Sequence, residues 1–171
     1  MSPVIIVESC FGNTRRVAEA IADGLPGASL LPVGTAPTTL PEGTDLVLLG
    51  APTHSGKLPS AHSRELATKR STPGAREARE ATGRPIEGAA DRGLAEWIQT
   101  ASIPAGTRVV TFDTTLKSAG WMGRASKDAV RRLKRTGVRA EQGESFWVTP
   151  TDELVEGEIA RASTWAGGLA G

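Results

Sequence analysis

Short apolar runs alternate along the chain with stretches in which apolar residues recur every three or four positions. Continuous runs rich in β-branched residues are typical of strands buried on both faces, whereas the i, i+3, i+4 spacing indicates helices with one apolar face. The pattern predicts five strands, at residues 4–7, 29–33, 46–51, 108–112 and 144–148. It predicts the main helices at residues 14–24, 91–101, 126–136 and 153–166, the last with Thr151 as N-cap and with Val155, Ile159, Ala162 and Ala166 on its apolar face.

Strands that alternate with helices indicate right-handed βαβ units and a parallel sheet covered on both faces. The predicted fold class is therefore α/β, a doubly wound three-layer sandwich. In such sheets ligands bind outside the carboxyl ends of the strands. We expect the loops that begin at Glu8, Ala51 and Asp113 to converge on one crevice there.

Residues 52–90 interrupt the regular spacing, because they are rich in Pro, Gly, Arg, Ala and Ser and carry no sustained apolar stripe. Within them, residues 61–70 and 75–81 fit short helices. A connection of this length inside a domain is usually functional or disordered. We expect a single domain over residues 1–171, with this irregular insertion either closing over a substrate as a lid or forming a subunit interface.

Composition narrows the function classes. The chain is 39% hydrophobic and 23% charged, which is typical of a globular protein, and its net charge of +1 gives no basis for a nucleic-acid partner. No apolar run of about 18 residues is present, so no membrane span is expected. Cys10 is the single cysteine, which excludes an internal disulfide, and no signal peptide is evident at Met1; we expect a cytoplasmic protein. Histidines and acids lack metal-ligand spacing, so no metal is expected.

The richest stretch for chemistry runs from Val4 to Ala22, where an apolar strand leads through a short hydroxyl- and glycine-containing loop into a helix. A loop of this kind points backbone N–H groups and the positive end of a helix dipole at one spot. The pattern therefore predicts an anion site, with phosphate as the usual guest. An ordinary strand-to-helix turn capped by Asn13 or Thr14 is the alternative.

The loop Ser9-Cys10-Phe11-Gly12-Asn13-Thr14 resembles the phosphate loop of flavodoxins. Ser9, Gly12 and Thr14 match the family pattern, and Phe11 replaces a hydroxyl residue common in its middle. Two further segments resemble the loops that flank the flavin ring in that family. They are Gly50-Ala51-Pro52-Thr53-His54 and Phe112-Asp113-Thr114-Thr115, the latter followed by Trp121.

The resemblance implies a sheet in the order 2-1-3-4-5, FMN as cofactor and electron transfer as function. The implied FMN-binding residues are Ser9, Cys10, Phe11, Gly12, Asn13, Thr14, Pro52, Thr53, His54, Asp113, Thr114, Thr115 and Trp121. Electron-carrying flavodoxins are strongly acidic, which aids docking on basic partners, whereas this chain is near neutral. This difference favours an NAD(P)H-linked reductase of the quinone-reductase type, with NAD(P)H or a redox protein as further partner and a homo-oligomer as an open possibility.

A flavodoxin-fold binding or interaction protein that has lost FMN is the alternative function. Aromatic residues make up only 4% of the chain, tyrosine is absent, and Phe11 occupies the phosphate loop. Flavin rings favour aromatic walls, so this scarcity is the observation behind the alternative.

Several side chains allow both a functional and a structural interpretation. Cys10 lies near a helix N-terminus, where a thiolate is favoured, but it also suits a small loop filler. His54 is a candidate proton donor or a surface histidine, and Trp121 either stacks on flavin or covers the core or an oligomer contact. Two clusters of basic residues are interpreted mainly as solvent-facing. For the first cluster a docking patch is the alternative, and its members are Arg124, Lys127, Arg131, Arg132, Lys134 and Arg135. The second cluster consists of Arg64, Lys69, Arg70, Arg76 and Arg79.

Overall fold

The computed structural model describes residues 2–70, 72–82 and 92–170. Five parallel strands form one sheet in the order β2-β1-β3-β4-β5, which confirms the predicted strand number and order. The strands are β1 Pro3–Val7, β2 Ser29–Pro32, β3 Leu46–Pro52, β4 Arg108–Leu116 and β5 Glu141–Val148. The helices are α1 Asn13–Gly24, α2 Ala61–Thr68, α3 Pro73–Thr82, α4 Leu94–Thr100, α5 Ala125–Arg135 and α6 Glu158–Gly167, with a 3-10 helix at Lys117–Met122.

Helices cover both faces of the sheet, as the doubly wound α/β class requires. Neighbouring strand residues point to opposite faces, so Ile6 packs in one core with Trp97 of α4 and Leu133 of α5. Ile5 packs in the other core with Ile21 of α1 and with α6. Each layer therefore buries its own apolar stripe, and the strand ends remain available for a site.

The fourth strand is longer than predicted. It continues past Phe112 to Leu116, so Asp113, Thr114 and Thr115 belong to a buried strand rather than to a loop. The prediction was wrong because polar residues were interpreted as the end of the strand. The chain pairs with β5 on one side and β3 on the other along this stretch, with a register shift between Thr111 and Asp113.

The last helix begins at Glu158 and not at residue 153, and its N-cap is Gly157 at φ 87° rather than Thr151. The prediction of one apolar face from Val155 to Ala166 was correct only for Ala162 and Ala166, which are buried. Val155 precedes the helix, and Ile159 is 37% exposed. The reason lies in the preceding chain, which returns along β5 so that the Val155 N–H donates to the Trp147 carbonyl at 3.0 Å.

The segment between β3 and α4 contains α2 and α3, so the two short helices predicted there are confirmed with shifted bounds. The α2 helix begins with a capping box in which Ser60 and Ser63 bond each other's backbone N–H groups. Arg64 on this helix is 2% exposed, so its interpretation as a solvent-facing residue was wrong. Residues 83–90 lie outside the described part of the chain, and the assignment of the whole chain to one domain stays a prediction.

Side chains of α6 cover the outer edge of β5. The Trp147 N–H donates to Glu158 Oε2 at 2.7 Å. Arg161 Nη2 donates to the Ser145 carbonyl at 2.5 Å. Three backbone groups in the second half of this edge strand, on Ser145 and Trp147, are thus hydrogen-bonded within the chain. Among the described helices, none combines the length and apolarity needed to cross a membrane.

Candidate functional site

A cleft opens at the carboxyl edge of the sheet, where the ends of β1, β3 and β4 meet. The space between its lining atoms, open solvent included, is about 540 Å³. The strand order reverses between β1 and β3, so the cleft lies at the topological switch point of the sheet. Of the predicted site residues it is lined by Phe11, Asn13, Thr14, Pro52, Thr53, His54, Thr114 and Thr115. No pattern in the sequence indicated the other lining residues, which are Arg70, Leu116, Val148, Pro150 and Asp152.

The loop before α1 presents backbone N–H groups toward the cleft. The first backbone hydrogen bond of the helix joins the Arg16 N–H to the Gly12 carbonyl at 2.9 Å. The N–H groups of Asn13 and Thr14, at the start of the helix, therefore have no acceptor within it. Gly12 adopts φ 81°, and a Cβ at this position would meet no atom within 4 Å. The loop thus combines unpaired helical donors with open space, which is the geometry of an anion site.

The side chains of this loop hold it to its surroundings. Asn13 Nδ2 donates to the Asp152 carbonyl at 2.6 Å, and the hydroxyls of Thr14 and Thr114 lie 2.8 Å apart. Ser9 Oγ accepts from the Arg15 N–H at 3.3 Å. The backbone is consequently the principal source of anion-binding donors here, while the polar side chains fix its shape.

The second loop is anchored on α2 and α5. Thr53 Oγ1 accepts from the Ala125 N–H at 3.1 Å, and His54 Nδ1 lies 3.0 Å from Ser63 Oγ. Burial, followed by the charges of Arg70 and Arg64, lowers the pKa of His54 to about 4. The imidazole is therefore neutral at neutral pH, which does not favour His54 as a proton donor.

Five predicted site residues are not among those that line the cleft, namely Ser9, Cys10, Gly12, Asp113 and Trp121. Asp113 is buried in β4, where its Oδ2 accepts from the Ser126 N–H at 2.9 Å and caps α5. Trp121, in the 3-10 helix, is 85% exposed, so it does not cover the core. FMN binding by Ser9, Cys10 and Gly12, as by Asp113 and Trp121, stays a prediction.

Cys10 packs under the loop against Ala67 of α2 and Phe11. Burial, followed by the charge of the Glu8 carboxylate, raises the pKa of its thiol to about 12. The thiolate expected from the helix N-terminus alone is thus disfavoured, and the loop-filler interpretation fits the structure better.

We expect the Cys10 thiol to be inert in the folded protein. At pH 8 iodoacetamide should alkylate it at least about 100-fold more slowly than in the urea-unfolded chain, because both the buried position and the small thiolate fraction limit attack. Mass spectrometry of timed samples measures the two rates. Similar rates in both states would show that the thiol is accessible and ionised.

A buried ionic network lies directly behind the loop. Glu8 follows β1, and its Oε2 accepts from the Leu94 N–H at 2.8 Å. Arg64 Nη1 lies 3.5 Å from Glu8 Oε1, close enough for an ion pair but without a hydrogen bond to that oxygen. Arg64 also donates to the Pro59 carbonyl and to both carboxylate oxygens of Glu96. Burial raises the pKa of Glu8 to about 7, against the opposing effects of the Leu94 N–H and Arg64.

The network also depends on Gly93. A Cβ at this position would lie 2.2 Å from Arg64 Nη1 and 2.9 Å from Glu8 Oε1. Glycine is therefore required for the guanidinium to reach the end of β1. The sequence offered one signal for this network, an acidic residue directly after a buried strand, but it did not reveal the partner on α2.

The chain shares its fold with flavodoxins of known structure. It superposes on a flavodoxin from the domain Archaea with a TM-score of 0.59 at 13% identity, over 99% of this chain and 96% of that one. An oxidised Flavodoxin 1 from Bacillus cereus gives 0.53 at 14% identity, over 97% and 95%. A flavone reductase gives 0.54 at 13% identity, over 99% of this chain and 62% of that one. No protein-family model and no curated protein sequence matches the chain.

Proposed function

We propose that this chain binds FMN in the cleft and transfers electrons as an NAD(P)H-linked reductase. The observation that carries the proposal is the set of backbone donors at Asn13 and Thr14, which open into a cleft at the switch point of a flavodoxin-like sheet. The N-terminus of α1 favours a negative charge at this spot. A flavin phosphate supplies that charge, and the neighbouring strand ends supply walls for its ring.

The residues present fit FMN. The open space beside Gly12 accommodates phosphate oxygens near the helix amides. Pro52, Thr53 and Thr115 line the same cleft and would contact the ring. Bound FMN would supply the one- and two-electron chemistry, while the protein orients the ring and excludes water from it.

A reductase accounts for the charge of the chain better than a carrier does. A net charge of +1 provides no strongly acidic surface for docking on basic electron donors. The shared fold with a flavone reductase is compatible with the proposal. NAD(P)H oxidation by the FMN-loaded protein, with a quinone as acceptor, tests it. Absence of turnover, together with reduction by a separate reductase protein, would instead identify a carrier.

Replacing Gly12 with alanine should weaken FMN binding about 10- to 100-fold. The added methyl group occupies the space beside the helix amides and displaces hydrogen bonds to a charged phosphate, each of which contributes about 1.5–3 kcal/mol. Fluorescence quenching of FMN on titration with the protein measures the affinity. Riboflavin, which lacks the phosphate, should bind both proteins weakly and equally.

Gly157 provides a matched control. It is the N-cap of α6 at φ 87° and ψ −13°, close to the φ 81° and ψ −14° of Gly12, and a Cβ there also meets no atom within 4 Å. Gly157→Ala therefore carries similar backbone strain but should leave FMN affinity unchanged. Equal losses of FMN affinity in the two variants would show that the phosphate does not bind at the α1 loop.

The alternative function is a flavodoxin-fold binding protein without FMN. Phe11 is the single aromatic side chain among the described residues that line the cleft, so the ring would have few aromatic contacts. A colourless purified protein that also fails to bind added FMN would establish this alternative. Visible absorption near 450 nm or a saturable titration would exclude it.

A further inference from the structure

The end of α2 places a cation in the wall of the cleft. Arg70 lines the cleft, and its guanidinium carbon lies 5.5 Å from the centroid of the Phe11 ring. Its Nε lies 3.3 Å from Asp152 Oδ2, and the side chain is 50% exposed. Arg70 is thus held beside the loop by a carboxylate and an aromatic face, yet it remains accessible from the cleft.

Asp152 connects Arg70 to the donors of the loop. Its backbone carbonyl accepts from Asn13 Nδ2 at 2.6 Å while its carboxylate contacts Arg70. Asp152 therefore contacts both the first residue of α1 and the guanidinium of Arg70. A phosphate on the amides of Asn13 and Thr14 would be within reach of the long arginine side chain.

The two members of the ion pair differ in exposure, since the Asp152 side chain is 12% exposed and the Arg70 side chain 50%. Asp152 adopts φ 63°, its carboxylate accepts from Thr72 Oγ1 at 2.5 Å, and a Cβ at Gly74 would lie 2.1 Å from its carbonyl oxygen. This close packing fixes Asp152 in place. Arg70, by contrast, has a flexible stem and half of its surface in solvent. A change of partner within this pair therefore moves the guanidinium and leaves the carboxylate where it is.

Charge in the cleft depends on this pair. Asp152 lines the cleft, and its negative charge repels an incoming anion, while Arg70 attracts it. The positive charge of Arg70 also acts on the second loop, where it contributes to the low pKa of His54. The balance between the two side chains consequently adjusts the affinity for anions that the backbone N–H groups of the loop provide.

We propose that Arg70 is a phosphate-binding residue and that Asp152 is its competing counter-ion. This inference rests on the proposed FMN site and adds to it a charged donor outside the α1 loop. When a phosphate monoester binds, Arg70 directs donors of its guanidinium to the phosphate and weakens its contact with Asp152. The pair thereby makes the site selective for the phosphorylated flavin over riboflavin.

The test measures dissociation constants of FMN and riboflavin for the wild type, Arg70→Met and Lys69→Met. Lys69 is the neighbouring residue, is 66% exposed and pairs with Glu65, so its replacement removes the same charge away from the cleft. Arg70→Met should weaken FMN about tenfold or more and leave riboflavin within twofold. Lys69→Met should change neither.

Asp152→Asn provides the reciprocal arm. Asparagine tolerates the positive φ and keeps an oxygen that can accept from Thr72, but it carries no charge and therefore competes less strongly for the guanidinium. We expect FMN to bind several-fold more tightly to this variant, and we expect no such gain when Arg70→Met is also present. Thermal melting of each variant verifies that it is folded.

The outcomes separate this inference from the proposed function. Two results would overturn the role of Arg70 and leave the FMN site intact. One is that Arg70→Met binds FMN as tightly as the wild type does. The other is that Lys69→Met weakens FMN binding as much as Arg70→Met does. If the wild type does not bind FMN, the proposed function fails, and inorganic phosphate followed by phosphorus NMR becomes the probe. Phosphate binding that Arg70→Met abolishes would then support the anion role, and absence of phosphate binding would overturn it.

Discussion

Replacing Arg64 with methionine should lower the free energy of unfolding by about 3–5 kcal/mol, because it leaves the buried Glu8 carboxylate without its cation. The loss corresponds to a fall in melting temperature of about 10 °C for a chain of this size. The effect should be larger at pH 8 than at pH 5, since Glu8 is already protonated in the folded protein at the lower pH. Urea unfolding followed by circular dichroism at both pH values measures it.

Arg108→Met is the matched control for this prediction. Arg108 forms an ion pair of 3.0 Å with Glu141, but the two side chains are 43% and 57% exposed. Exposed pairs of this kind contribute at most about 1 kcal/mol. A loss in Arg64→Met that is no greater than in Arg108→Met, or that does not change with pH, would contradict a structural role for the buried network.

Glu8→Gln should abolish the pH dependence of the free energy of unfolding that arises from Glu8. Glu8 has a pKa of about 7 when folded and an ordinary value of 4.5 when unfolded, so the folded state binds more protons between these values. Stability from Glu8 is therefore fully present below about pH 4.5 and is lost as the pH rises to 7. The loss amounts to about 3 kcal/mol at 1.36 kcal/mol per pKa unit.

The glutamine variant does not titrate, so its stability relative to the wild type should rise by about 3 kcal/mol from pH 4.5 to pH 8. Any fixed cost of the amide facing Arg64 cancels in this difference.

His54 changes the stability in the opposite sense. Its folded pKa of about 4 lies below the ordinary value of 6.5, so its contribution to the free energy of unfolding is lost as the pH falls from 6.5 to 4. Wild-type stability should accordingly vary little over pH 4.5–6.5. If the difference in free energy of unfolding between Glu8→Gln and the wild type is constant from pH 4.5 to pH 8, Glu8 has an ordinary pKa in the folded protein.

The sheet was predictable because its strands carry strong local signals. Runs such as Val4–Ile6 and Leu46–Leu49 are wholly buried, and continuous apolar runs of this kind are what a two-sided sheet requires. Local patterns failed where tertiary contacts compensate polar residues. Thr114 remains in a buried strand because its hydroxyl pairs with that of Thr14, a hundred residues away in the chain.

The cleft was partly predictable for a similar reason. A parallel sheet brings its strand ends together, so Thr14, Thr53 and Thr115 could be grouped from topology alone. Arg70 and Asp152 could not, since their positions depend on how α2 and the loop after β5 pack on the phosphate loop. Arg64 likewise resembles its exposed neighbours in sequence, and only the packing of α2 shows that it is buried.

The covered edge of β5 determines how copies of this chain can associate. An open edge strand offers unpaired backbone groups on which another chain can add a strand, a route to aggregation and domain swapping. Here the outward N–H of Trp147 and the outward carbonyls of Ser145 and Trp147 are already bonded, to Glu158, Arg161 and Val155 respectively. Continuation of the sheet across β5 would have to break these bonds first. An oligomer of this chain is therefore expected to form through helical or loop surfaces rather than by extending the sheet at β5.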